Sequence, residues 1–378
     1  MAYDAVSIGN IMKTDVNPLR VVLKTISLLV LINLLFGLLQ PHVARLSFYT
    51  ILFPGRGRLP FGELHNPYVV SVDDIDAMFA SHAISRAKQP DEIRVSVIGD
   101  SSVWGENLQL YETLTVQWNR LGVQCNGKTM HVYNLGYPHP SAVKDVMFLK
   151  KTAEYEPDII VWLITLNTLS SMRVNPILTE NRDLALGLLD EYRLPFSEID
   201  KLRNSEKSLY ENTILGQRSF LARLIKLQAL GWLWSATGRD IERVPEQMTM
   251  PEDIESNDLE YRRLPVDSDL RPIMLVDALA AGYAIAGDIP LVLVNEPIFI
   301  ATGLNSDVRY NDLYPRWAYD QYRDVVSAEA HEHNWKYLDL WDSIPGRHFT
   351  DTPLHLSVEG ERLLAERIQM DVAPMVCK

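Results

Sequence analysis

Residues 158–164, Asp-Ile-Ile-Val-Trp-Leu-Ile, make an apolar run with none of the alternation of a half-solvated strand. Such a strand must be covered on both faces, as strands of parallel sheets are. The rest of the chain keeps a matching rhythm. Short β-rich runs at 93–98, 130–135, 290–294 and 335–340 alternate with helical patterns at 105–121, 142–155 and 358–370. That order predicts βαβ units and a central parallel sheet in an α/β fold. The 378 residues suit one enlarged α/β domain. Between about 172 and 270 the rhythm breaks into long, charged helical patterns, which reads as an insertion. Within it, 210–234 is strongly apolar. It either packs against the main domain or forms a lid or membrane-facing surface. Residues 244–268 read as an acidic loop.

A second constraint lies at the front. Residues 21–39 read Val-Val-Leu-Lys-Thr-Ile-Ser-Leu-Leu-Val-Leu-Ile-Asn-Leu-Leu-Phe-Gly-Leu-Leu. A spanning helix needs roughly 20 mostly apolar residues. Lys24 sits near one end, where its ammonium can snorkel, and Asn33 is the polar exception in the middle. A cleaved leader fits less well, because Gln40-Pro41-His42 follows in place of a small-x-small site. Cations flank both ends (Lys13, Arg20 and Lys24 before; Arg45, Arg56 and Arg58 after), so charge gives no orientation. Residues 46–54 are apolar but too short to span, and suit the membrane surface. The expected organisation is a tail over 1–20, an anchor over 21–40, a membrane-proximal connection over 41–91, and the α/β domain over 92–378.

Composition excludes several classes. Lys and Arg total 36 against 49 Asp and Glu, a formal charge of −13. That balance argues against nucleic-acid binding, which needs clustered cations. Cys125 and Cys377 are the only cysteines and lie too far apart in sequence for a CxxC pair or zinc knuckle. A disulfide between them is open, and so are two thiols in a reducing compartment. No HExxH or Cys/His cluster marks a metal site.

Polar residues gather where the strands should end. The first run closes in Gly99-Asp100-Ser101-Ser102-Val103-Trp104-Gly105. A serine at a strand-to-helix turn has free backbone N–H groups and a helix N-terminus beside it, which favour developing negative charge. Taken alone it reads as well as a helix cap. Three further clusters accompany it: Asn134-Leu135-Gly136, Leu166-Asn167-Thr168, and Asp351-Thr352-Pro353-Leu354-His355 before the last helix. Open parallel sheets collect their ligands at these strand ends.

These four blocks, in this order, resemble the SGNH (GDSL-type) hydrolase superfamily. Gly99–Gly105 is similar to its Gly-Asp-Ser-x-x-x-Gly block, Gly136 to the second block, Asn167 to the third and His355 to the last. The resemblance covers about 92–170 and 287–370. It implies a three-layer α/β/α, flavodoxin-like fold without a cofactor. It also implies Ser101 as nucleophile, His355 as general base and Asp351 as the carboxylate that orients it. The oxyanion hole would comprise the Ser101 and Gly136 N–H groups and the Asn167 side-chain amide. Asp100, Trp104, His139 and Glu296 are further candidates to line the substrate.

The chain departs from the family pattern at three places. Thr165 and Thr168 stand where the third block usually has Gly and Asp. His139 replaces a glycine after the second block. Thr352 occupies the usual aspartate position, with Asp351 one residue earlier and Asp342 as a fallback. The resemblance implies a membrane-anchored ester hydrolase acting on surface glycan or lipid esters, with its catalytic domain outside the cytoplasm. The same residues would serve an O-acyltransferase working beside a membrane-bound acyltransferase partner. A catalytically idle subunit of a membrane complex would keep the fold alone.

Overall fold

The computed structural model describes residues 17–41, 43, 55–61, 73–170, 175–237 and 249–377. The expectation for 46–54 therefore lies outside the described residues. Two compact units are present. One comprises Met1–His42 with Lys207–Arg223, and the other Val43–Glu206 with Leu224–Lys378.

The larger unit is a three-layer α/β/α structure. Its strands are β1 (Glu92–Gly99), β2 (Gln124–Cys125), β3 (Lys128–Gly136), β4 (Ile159–Ile164), β5 (Leu291–Asn295) and β6 (Lys336–Asp339). They form one sheet in the order β2-β3-β1-β4-β5-β6. All pairings are parallel except the short β2–β3 edge. The central strands are buried on both sides, as their unbroken apolar runs require. In β4, Ile160, Trp162 and Ile164 face one core, while Ile159, Val161 and Leu163 face the other. The helices Ala142–Ala153, Asp277–Ala286 and Arg316–Glu332 cover the first face. Leu114–Arg120 and Val358–Val376 cover the second.

The sheet puts Gly99 of β1 directly opposite Gly136 of β3. Lys144 fixes that edge from below. Its ammonium is fully buried and donates to the Gly99 carbonyl at 2.9 Å and the Tyr137 carbonyl at 2.7 Å. Asp145 supplies its counter-charge at 3.0 Å and accepts from Trp162 Nε1. Far along the chain, Cys125 of β2 and Cys377 pair as a disulfide, their Cα atoms 5.1 Å apart. It fastens the end of the last helix to the sheet edge.

Part of the 41–91 stretch belongs to this core. Leu59, Ile75, Met78 and Phe79 are buried in it. Arg58 donates to the Gly105 and Leu108 carbonyls at 3.0 and 3.1 Å, with its guanidinium over the Trp104 ring.

The smaller unit is built on the helix Pro18–Leu39. Asn17 caps its start, with Pro18 in the first turn, and a left-handed Gln40 ends it before Pro41. At 1.5 Å per residue its length is about 33 Å, enough to cross a bilayer's hydrocarbon core. It is the one helix among the described residues long and apolar enough to do so. Its leucines and isoleucines are exposed along most of its length. One side is covered by the chain itself. Asn33 Oδ1 accepts from the Leu215 N–H at 3.1 Å. A Cβ added at Gly37 would lie 3.1 Å from Thr213 Cγ2 and 3.2 Å from the Leu209 carbonyl oxygen.

The single helix expected over 210–234 is two helices, Leu209–Asn212 and Arg218–Thr237. Gly216 lets the chain pass closely between them, since any side chain there would meet the Tyr210 carbonyl. In the longer helix Leu224 and Leu227 are buried, whereas Ile225, Leu230 and Leu233 are exposed.

Candidate active site

Ser101 stands at the first position of a one-turn helix, Ser101–Trp104, immediately after β1. Asp100 caps that helix by accepting from the Ser102 N–H at 3.2 Å, and a left-handed Gly105 closes it. Nearly all L side chains avoid that conformation, and a Cβ on Gly105 would also meet Thr113. The helix is seated on β3. Asn134 Nδ2 donates to the Val103 carbonyl at 2.7 Å. Gly136 must lack a side chain, because a Cβ there would lie 2.4 Å from the Trp104 backbone nitrogen.

His355 reaches this turn from the opposite end of the chain. Its Nε2 is 2.9 Å from Ser101 Oγ, and its Nδ1 is 2.9 Å from Asp351 Oδ1. The segment 350–355 folds back on itself, the Thr350 N–H donating to the His355 carbonyl at 2.9 Å. Thr352 Oγ1 accepts from the His355 N–H. The residue in the expected aspartate position thus caps the backbone, and the carboxylate one residue earlier meets the imidazole. Asp342 is exposed and makes no bond to His355 among the described residues. Burial alone would raise the Asp351 carboxyl. The hydrogen bond and charge of His355, with the Asn107 amide, outweigh it and hold the group at about 2.

Two oxyanion-hole candidates are open. The Ser101 N–H and Asn167 Nδ2 make no hydrogen bond among the described residues. The Gly136 N–H does make one, donating to Asn134 Oδ1 at 3.1 Å. Its inclusion in the hole requires Asn134 to yield it, so the glycine's evident task is close packing.

The four blocks meet at one sheet edge, in the expected chain order, around a serine–histidine–aspartate line. Three of the four substrate-lining candidates are buried. Asp100 and Glu296 are each 2% exposed. Trp104 is buried, its indole donating to the Leu59 carbonyl at 2.8 Å. His139 is exposed in a left-handed turn at φ 77°, its ring edge-on to Phe61. Glu296 hydrogen-bonds to Ser102 Oγ, which also contacts Asp100 Oδ1 at 3.2 Å. Burial, then the charge of Asp100, pushes the Glu296 carboxyl well up. A hydroxyl has one proton, so Ser102 Oγ donates to only one of these two carboxyl groups at a time.

Three residues without a sequence signal belong to the site. Lys144 ties the two strand ends together. Tyr261 and Arg262, from the insertion, both donate to Asn167 Oδ1, at 3.1 and 3.0 Å. Arg262 and Arg263 adopt a left-handed conformation that nothing in their residue types announces. Among the described residues no group of three or more His, Cys, Asp or Glu could hold a metal ion.

No family model and no curated protein matches this chain. Several solved structures are similar to this chain at low identity. A lipolytic protein of the G-D-S-L family from Veillonella parvula is 12% identical, with 74% of this chain and 97% of that one covered and a TM-score of 0.36. A lipase/acylhydrolase from Enterococcus faecalis is 14% identical, with 75% and 96% covered and a TM-score of 0.38. A carbohydrate acetylesterase family member from Sinorhizobium meliloti is 14% identical, with 75% and 99% covered and a TM-score of 0.33.

Proposed function

We propose that this chain is a membrane-anchored serine ester hydrolase that cleaves an acyl ester of a cell-surface glycan or lipid. The observation that carries the reading is the line Asp351–His355–Ser101, with 2.9 Å at each step. Ser101 and His355 lie 254 residues apart, so local sequence effects do not account for their meeting.

The chemistry follows from the geometry. Ser101 Oγ attacks the acyl carbonyl as His355 Nε2 takes its proton. Asp351, ionised and bonded to Nδ1, stabilises the imidazolium. The tetrahedral oxyanion meets the Ser101 N–H and Asn167 Nδ2, donors that carry no titrating proton. His355 then protonates the departing alkoxide and leaves an acyl-Ser101. A water, deprotonated by the same imidazole, releases the acid and restores the serine.

Two features support the placement. The helix Pro18–Leu39 has the length and apolarity of a bilayer anchor, and its mid-span Asn33 is supplied with a backbone donor. The Cys125–Cys377 disulfide suits an oxidising compartment, hence a catalytic domain outside the cytoplasm.

The test is labelling of the full chain, in detergent, by a fluorophosphonate probe. The reading expects one modified peptide, containing Ser101, and none in Ser101→Ala. An unlabelled wild-type chain overturns it. Product analysis with and without a sugar acceptor then separates hydrolysis from transfer.

A further inference from the structure

Nothing inside the loop 165–170 holds the side chain of Asn167. The loop closes on itself through the Thr168 N–H to the Thr165 carbonyl and the Thr165 N–H to Thr168 Oγ1, both 3.1 Å. Every described hydrogen bond of the Asn167 side chain comes from the insertion. Tyr261 Oη and Arg262 Nη2 both converge on Oδ1, and Arg262 Nε in turn donates to Tyr261 Oη at 3.1 Å.

A guanidinium has donors only. The amide oxygen of Asn167 must therefore face Arg262, and its Nδ2 is turned the other way with two hydrogens to offer. A positive charge on the oxygen also polarises the amide and strengthens those donors.

The turn that delivers Arg262 is tightly built. Tyr261 and Leu264 exchange both backbone hydrogen bonds, at 3.0 and 2.9 Å. Between them Arg262 and Arg263 adopt φ 53° and 68°, a left-handed pair that normally falls to Asn and Gly. Non-glycine residues held so are strained, and such strain collects at functional sites. The segment is also strapped down: Trp317 Nε1 donates to the Leu259 carbonyl at 2.6 Å, and Arg309 bonds the Asp258 carbonyl.

We propose that Arg262, seconded by Tyr261, is a positioning residue of the reaction: it holds the Asn167 amide with Nδ2 presented to the oxyanion. The proposal rests on the serine hydrolase reading above. It gives the insertion a part in turnover that the sequence blocks do not contain.

The test is steady-state turnover of p-nitrophenyl esters by the full chain in detergent. Arg262→Met, which keeps length but removes every donor, should lower kcat by about 10- to 100-fold with KM within about twofold. Arg262→Lys should recover part of the loss. Asn167→Ala/Arg262→Met should be no slower than Asn167→Ala alone, since Arg262 acts only through that amide. Thermal melting checks that each variant is folded, and Tyr261→Phe gives a milder second reading. An unchanged kcat in Arg262→Met, a loss in KM alone, or losses that multiply in the double variant would each overturn the proposal. Wild-type turnover that does not depend on Ser101 overturns the underlying hydrolase reading instead.

Discussion

Asp351 meets His355 across a four-residue turn, its Oδ1 2.9 Å from the imidazole Nδ1. Because Asp351 is held at about 2, its charge persists through the whole range in which an esterase is assayed. The acid limb of kcat/KM is therefore not the titration of Asp351. A depressed carboxyl contributes stability above its unfolded value, and that contribution is lost only as pH falls through about 2. Asp351→Asn would donate to Nδ1 and present the wrong tautomer to Ser101. A fall in kcat of about 10,000-fold, with little change in KM, is the expected outcome. Near-normal kcat would show that Ser101 and His355 act as a dyad.

Gly136→Ala tests the seat of the nucleophile. The new methyl meets backbone on the helix that carries Ser101, at 2.4 Å from the Trp104 nitrogen and 2.8 Å from the Val103 carbonyl carbon. Neither can step aside as a side-chain tip could. The variant should lose about 1–3 kcal/mol of stability and about 100-fold in kcat/KM, measured by chemical denaturation and ester turnover.

Lys144→Met removes the clamp on β1 and β3 and leaves Asp145 buried without its counter-charge. Breaking such a pair costs roughly 3–5 kcal/mol. Lys144→Met/Asp145→Leu should recover much of that in a denaturation experiment while turnover stays low, because the strand-end contacts remain lost.

Glu296 gives a pH signature. Its folded carboxyl is raised, first by burial and then by Asp100, so the stability it contributes is present below its unfolded value and drains away as pH rises. Glu296→Gln keeps an acceptor for Ser102 and removes the titration. Melting temperatures of the wild type should fall from pH 5 to pH 8 more steeply than those of the variant. The expected divergence is at most about 1.4 kcal/mol per pH unit. Parallel slopes would mean that Glu296 is ionised in the fold.

Much of this architecture could be read from the chain. Every expected strand lies where its apolar run stands, as with 158–164 and β4, because burial on both faces writes itself as composition. Helix boundaries were harder. The expected helix over 105–121 is a turn, a short 3-10 segment and the helix Leu114–Arg120. Gly105 and Asn107, at φ 87° and 61°, are the breakers, and Gln109 with Glu112 restarts the chain through a capping box. Ser101, His355 and Asp351 were legible as separate blocks, and their meeting is a property of the sheet edge. Lys144, Glu296 and Arg262 acquire meaning only through partners brought close by the fold: two strand-end carbonyls, Ser102 194 residues away and Asn167 95 away. No local pattern encodes such contacts.

The central claim is that Ser101 is an activated nucleophile. The most direct measurement is kcat/KM of the full chain for p-nitrophenyl acetate and butyrate beside Ser101→Ala. The account predicts saturable turnover in the wild type and a loss of about 10,000-fold or more in the variant. Equal rates in the two chains would contradict it.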